Sequence, residues 1–360
     1  MVSRNTSALA VAFAITMLAA ACGGGDGGTG PGQLADPAAT AAKIAALDDA
    51  FETPSFASFA FAATYVPAAS VSLNALHAAL AAAAVPTPDH RPAFETLRPS
   101  LPARSASGSS AIFPPEVLGK TLEWSSTSGI YEATARAGAP ANGVRFILYS
   151  LGTNGQPVTP LQEIGYVDFK DESAAGTDRL HITVVVGTTT FVDYTIAFSF
   201  GSSTSFNYGL AGFVTDGTRR LDLSIAFDGN DTNSSVDIRF DLNAENAHIR
   251  LTETVVTLSD SSFRLTMDTR VQLGSEVIAT AGSATVTVSG TSFTVTGTYT
   301  VTVNGRDYAT ITQSGDGTVV AYRYAGGRDL TSDEIAALNA VFSAVSDLLI
   351  RMFDLLLPVY

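Results

Sequence analysis

The sequence predicts a mainly β protein: a long antiparallel meander forming a curled sheet or barrel, packed by N-terminal helices and a C-terminal amphipathic helix. Three observations carry this. Apolar and polar residues alternate over most of residues 119–326, as strands with one buried and one wet face require. No proline occurs between Pro160 and Pro358, as an unbroken hydrogen-bond ladder demands. About fifteen candidate strands fall between Thr121 and Tyr324, more than an open twisted sheet carries without curling or closing.

Composition narrows the function classes. Charged residues make up only 15% of the chain, below the usual share of about 25%, and Ser, Thr and Gly fill the gap, as suits an exported β-rich protein. The formal net charge is −14. That argues against a nucleic-acid partner, because phosphate contacts need a Lys/Arg surface, and against adsorption to anionic lipid by charge alone. The single cysteine permits no internal disulfide, so stability must come from packing.

Residues 1–21 read as a secretory signal peptide. Arg4 is its positive region, and the apolar stretch from Ala8 to Ala20 is too short to span a bilayer. It runs into Leu18-Ala19-Ala20-Ala21-Cys22, followed by Gly23-Gly24-Gly25. This stretch resembles the lipobox of bacterial lipoproteins, with Ala19 standing where that pattern usually has Leu. The resemblance implies cleavage before Cys22, acylation of Cys22 and a membrane partner reached through that lipid. Gly23, in place of the Asp that retains some lipoproteins at the inner membrane, implies the outer membrane by the same resemblance. The alternative is ordinary cleavage near Ala21, which leaves the lone thiol without a purpose.

Residues 22–35 form a Gly-rich tether, expected to be flexible. The tether matches GxGxxG at Gly23/Gly25/Gly28 and Gly25/Gly27/Gly30, but neither match follows a strand, so both are by-products of low complexity. Residues 36–85 read as short helices. Asp36-Pro37 starts one with Ile44, Leu47 and Phe51 on a face, and Thr53-Pro54 ends it; Phe56 to Tyr65 and Ser70 to Val85 follow. Residues 86–118 are a connector, since Pro86 to Pro115 holds seven of the fifteen prolines.

In the meander the apolar sets are plain: Leu180, Ile182, Val184, Val186; then Val192, Tyr194, Ile196, Phe198, Phe200; then Leu221, Leu223, Ile225, Phe227. Val236, Ile238, Phe240, Leu242 continue the rhythm, as do Phe263, Leu265, Met267, Thr269, Val271 and Phe293, Val295, Gly297, Tyr299, Val301. Strands are expected to start near Phe191, Ser205, Arg219, Ser234, Ala247, Ser262, Val277, Ser292 and Arg306. Asp216-Gly217, Asp228-Gly229, Ser259-Asp260, Asn304-Gly305 and Gly315-Asp316-Gly317 mark turns. Residues 327–360 close the chain with a helix. Thr331 to Glu334 is a capping box, and Ile335, Leu338, Phe342, Val345, Leu349, Met352 and Leu356 form an apolar stripe widened by Val341, Leu348 and Leu355. Asp347, Arg351 and Asp354 interrupt it too often for a membrane span.

Motifs for chemistry are lacking, and no cofactor or metal is expected. His77, His90, His181 and His248 are scattered, and no HExxH or GxSxG occurs. Gly119-Lys120-Thr121 has the ending of a P-loop, but Pro114 stands at its first glycine. Asp228, Asp231, Asn233, Ser235 and Asp237 place oxygens at alternate positions without the glycine and glutamate of an EF-hand, and read as an acidic hairpin tip. Asp168, Asp171 and Glu172 read as a second acidic turn. Arg239, Arg250, Arg264 and Arg270 among Asp222, Asp237, Asp241 and Asp268 read as a solvated face, and Thr294, Thr296, Thr298, Thr300 and Thr302 as a polar strand surface.

The leading expectation is a non-enzymatic, lipid-anchored envelope protein whose sheet shelters an apolar ligand or engages envelope proteins. A half-barrel lipoprotein carrier is a parallel at the level of architecture only. A surface-displayed scaffold or adhesin is the alternative, and an outer-membrane β-barrel ranks below it. A hydrolase comes last, with no motif behind it.

Overall fold

A computed structural model describes residues 31–34, 36, 38–40, 42–43, 53–65, 112–200, 205–230, 232–243, 246–259, 261–289, 292–315 and 319–356. The chain divides into Met1–Gly30 and Pro31–Tyr360. The signal segment, Cys22 and the GxGxxG matches fall in the first unit, outside the described residues, as does the Ser70 to Val85 segment of the second.

Fifteen strands make one sheet. They are β1 (Lys120–Ser125), β2 (Ile130–Thr134), β3 (Gly143–Tyr149), β4 (Glu163–Asp171), β5 (Thr177–Val186), β6 (Thr189–Phe200), β7 (Phe206–Thr215) and β8 (Arg220–Gly229). The sheet continues through β9 (Asn233–Leu242), β10 (Ala247–Ser259), β11 (Ser262–Leu273), β12 (Glu276–Ser289), β13 (Ser292–Val303), β14 (Arg306–Gln313) and β15 (Val319–Tyr324). From β3 to β15 each strand pairs antiparallel with the next, the expected meander. The far end differs: β1 lies between β2 and β3 and runs parallel to β3, with Lys120 opposite Val144 and Leu122 opposite Phe146. The alternating pattern of side chains says which face is buried but nothing about strand order, so this crossover left no mark in the sequence. The edges are β2 and β15; they do not pair, so the sheet curls without closing into a barrel.

The period-two sets do fall on one face. Leu221, Leu223, Ile225 and Phe227 of β8 lie opposite Leu242, Phe240, Ile238 and Val236 of β9, and all eight are buried. One expected turn shifts: Asp228-Gly229 belongs to β8, and the reversal comes at Asn230, whose side-chain oxygen accepts from the backbone N–H of Thr232 and Asn233. Asn304-Gly305 turns as expected, with φ of 52° and 76°.

Helix α1 (Pro54–Ala63) is capped by Thr53, whose hydroxyl accepts from Phe56 N, with Pro54 at the first helical position. So Thr53-Pro54 opens a helix here. Phe56, Phe59, Ala62 and Ala63 form its buried face. Phe59 stacks on Phe169 of β4, and the Ser58 hydroxyl accepts from Tyr149 N of β3 at 3.1 Å. Phe61 and Tyr65 meet Trp124 edge-on, Tyr65 meets Tyr131 likewise, and the Tyr131 hydroxyl donates to Ile147 O.

Helix α2 (Ser332–Leu356) begins with the expected capping box: Glu334 N donates to the Thr331 hydroxyl, and Thr331 N donates to the Glu334 carboxylate. Leu338, Val341 and Val345 are buried in the same core as the sheet, with Ile335 and Phe342 half-buried beside them. Among the described residues no helix is long and apolar enough to cross a membrane. Gly32 N donates to Asp307 O, and the Thr40 hydroxyl donates to Glu276, so residues 32 and 40 are both tied to the sheet.

Candidate binding face

The two faces of the sheet have opposite chemistry. On the outer face, register sets Arg239, Arg250 and Arg270 side by side across β9, β10 and β11. Like charges so placed repel, and carboxylates in the neighbouring rows offset them. Asp237 accepts from Arg239 at 2.8 Å and from Arg250 at 3.1 Å, and those bonds, Arg239 first, hold its carboxyl below the usual range. Arg220 pairs with Asp222 at 2.7 Å and lies over the Phe213 ring. These pairs are exposed and screened by solvent, so they add little to stability. This is the solvated face the sequence implied.

The residues singled out in the sequence for chemistry do not converge. His181 sits between Glu172 (3.0 Å) and Asp193 (2.8 Å), so carboxylates occupy both ring nitrogens. His248 faces Asp241. His77 and His90 lie outside the described residues. Asp168 is committed to Arg145 by two bonds of 2.7 Å, a pair half-sunk under the Tyr166 ring. Asp171 instead ties the connector to the sheet by accepting from Ile112 N. Gly119-Lys120-Thr121 leads into a strand with Thr121 fully buried, whereas a P-loop needs a helix N-terminus there. Asp231 lies outside the described residues, and among those described no three His, Cys, Asp or Glu side chains could share a metal.

The threonines of β13 belong to something wider. Ser235, Thr254, Thr266, Ser283, Thr298 and Thr312 stand opposite one another in turn, a line of hydroxyls across six strands of the outer face.

The core face is apolar, and its exceptions cluster. Across β7 to β13 one row contains Tyr208, Phe227, Val236, Glu253, Met267, Gly282 and Tyr299. Glu253 is 3% exposed, its Oε1 has no hydrogen-bond partner, and burial pushes its carboxyl up to about 7. The hydroxyl of Tyr208, in the same row, is buried without a partner, as is that of Thr280 in the next row. Gly282 makes room for Tyr299: a Cβ there would stand 2.8 Å from the Tyr299 ring and 2.2 Å from Thr298 O. Burial, and then the nearby charge of Glu253, pushes the Tyr299 phenol up to about 12. No Lys, Arg or His occupies this row or those flanking it, while Val255, Phe263 and Met267 remain only half-buried.

Sequence reading missed Glu253. The signal was present: in Ala247, Ile249, Leu251, Glu253, Val255 a carboxylate takes a place where alternation calls for an apolar residue. Comparison with known proteins supplies no precedent for this face, since no family model, curated protein or solved structure matches the chain.

Proposed function

We propose that the mature protein is a non-enzymatic binding protein of the cell envelope that shelters an apolar ligand against the core face of its open sheet, held at the outer membrane by a lipid on Cys22. The observation that carries this reading is the state of the core face at β10 to β12. It is apolar, it is left partly open at Val255, Phe263 and Met267, and it encloses polar atoms that the protein itself does not satisfy. Each such atom left without a donor or acceptor costs about 1–3 kcal/mol, and a polar group on a guest molecule would recover it. A curled sheet with an apolar interior suits a guest molecule. The charges on the outer face count against a pore whose outer face meets lipid.

One experiment tests both parts. The Cys22→Ser chain, exported in its native host, is expected in the soluble envelope fraction while the unaltered chain stays with the membrane. Mass spectrometry of an organic extract of the released protein is expected to show the same apolar compound in repeated preparations. Membrane retention of Cys22→Ser overturns the anchor, and repeated recovery of empty protein overturns the shelter.

The six-strand line of hydroxyls on the outer face favours a second reading, a surface-displayed adhesive scaffold. Protease treatment of intact cells separates the two: a surface domain is degraded, a periplasmic one survives.

A further inference from the structure

The chemistry of the sheltered molecule can be narrowed, on the footing of the binding role proposed above. We propose that Glu253 is an anchor for the polar end of the ligand, and that this end is a primary amine on an otherwise apolar molecule.

Three features of the row argue for this. First, Glu253 is a buried acceptor without a donor: Oε1 makes no hydrogen bond, and no cationic side chain stands in its row or the rows beside it. An isolated buried carboxylate is costly unless paired, and an ammonium group supplies both the charge and the donors it lacks. Second, the surroundings can take the remaining donors of an ammonium. Tyr299 packs over Gly282 in the row of Glu253, where its phenol feels the Glu253 charge, and the Thr280 hydroxyl is buried without a partner one row away. Third, the path from Glu253 toward the β10–β11 hairpin tip carries no charge across β10 to β12, its one polar side chain being Thr257 opposite Phe263. It passes Val255 and Leu265, then Phe263 and Val286, two steps on the same face or about 13 Å of strand. That chemistry suits an apolar tail and not a second charge.

The same features reject two other classes. A fatty acid brings a second acidic group and no cation, so the two carboxyls could hold only one negative charge between them. A pure hydrocarbon leaves Glu253 as it is, unpaired.

The test compares dodecylamine, dodecanol and dodecanoate on the mature chain by calorimetry in 0.5 M salt, which screens adsorption to the acidic surface. Dodecylamine is expected to bind at least tenfold more tightly than either of the others. In Glu253→Gln the amine is expected to fall to within about threefold of dodecanol, with dodecanol unchanged. Glu253→Met, which removes the orphaned group and relieves the fold, is expected to behave like Glu253→Gln and stands in for it if that variant fails to fold. Dodecanol or dodecanoate matching the amine, or an amine preference that survives both substitutions, overturns the assignment of the headgroup while leaving the shelter standing. No binding of dodecylamine or dodecanol overturns both.

Discussion

A carboxyl that titrates at about 7 in the fold and near 4.5 in the unfolded chain makes stability depend on pH. Between those values the folded state holds a proton that the unfolded state has lost. The contribution of Glu253 is therefore fully present below pH 4.5 and is lost as pH rises through about 7. At 1.36 kcal/mol per unit the swing approaches about 3 kcal/mol. Urea unfolding of the ligand-free protein is expected to show this decline from pH 4.5 to 8, and Glu253→Gln is expected to abolish it. An equal decline in both proteins places its origin elsewhere. The residue was within reach of the sequence, because the period-two pattern of β10 already assigns it to the buried face. The absence of a partner was not, since that depends on what the neighbouring strands bring to the same row. Tyr208 and Thr280 show the same division. Alternation places each inside, and only register reveals that nothing bonds to their hydroxyls.

Among the elements, the legible and the illegible parts separate cleanly. Strands expected near Phe191, Ser205, Arg219 and Ser234 begin at Thr189, Phe206, Arg220 and Asn233, because turn chemistry and alternation act locally. The capping box of α2 is local too, and Glu334 shows its strength: the Arg328 guanidinium first, and then Thr331 N, hold its carboxyl down at about 2. The parallel β1–β3 pair is a long-range choice with no local signature. Gly282 belongs with it, a glycine whose need comes from the strand beside it. Gly282→Ala is expected to destabilise the protein by about 1–3 kcal/mol, because its Cβ meets the carbonyl of Thr298 and the ring of Tyr299. Gly305→Ala, with open space around it and a strained φ as its only penalty, is expected to cost less. Thermal unfolding of the two variants measures the difference, and equal costs remove the packing argument.

At the scale of the whole molecule, what organises the sheet is that each strand from β4 onward pairs with the strand made just before it. Stability should then grade from the edges inward. Amide exchange is expected to be slowest in β7 to β10 and fastest in β2 and β15, which have a neighbour on one side only. Uniform protection across the sheet shows instead that it opens as one unit. From β4 onward nearest-neighbour pairing also keeps loop closure short, and only β1 and β3 pair across an intervening strand. Such a sheet grows by accretion. Two further strands could be spliced in, or two removed, at almost any turn without rethreading the chain or reversing either face. The width of the structure is thus an adjustable quantity, set by the number of hairpins along the gene.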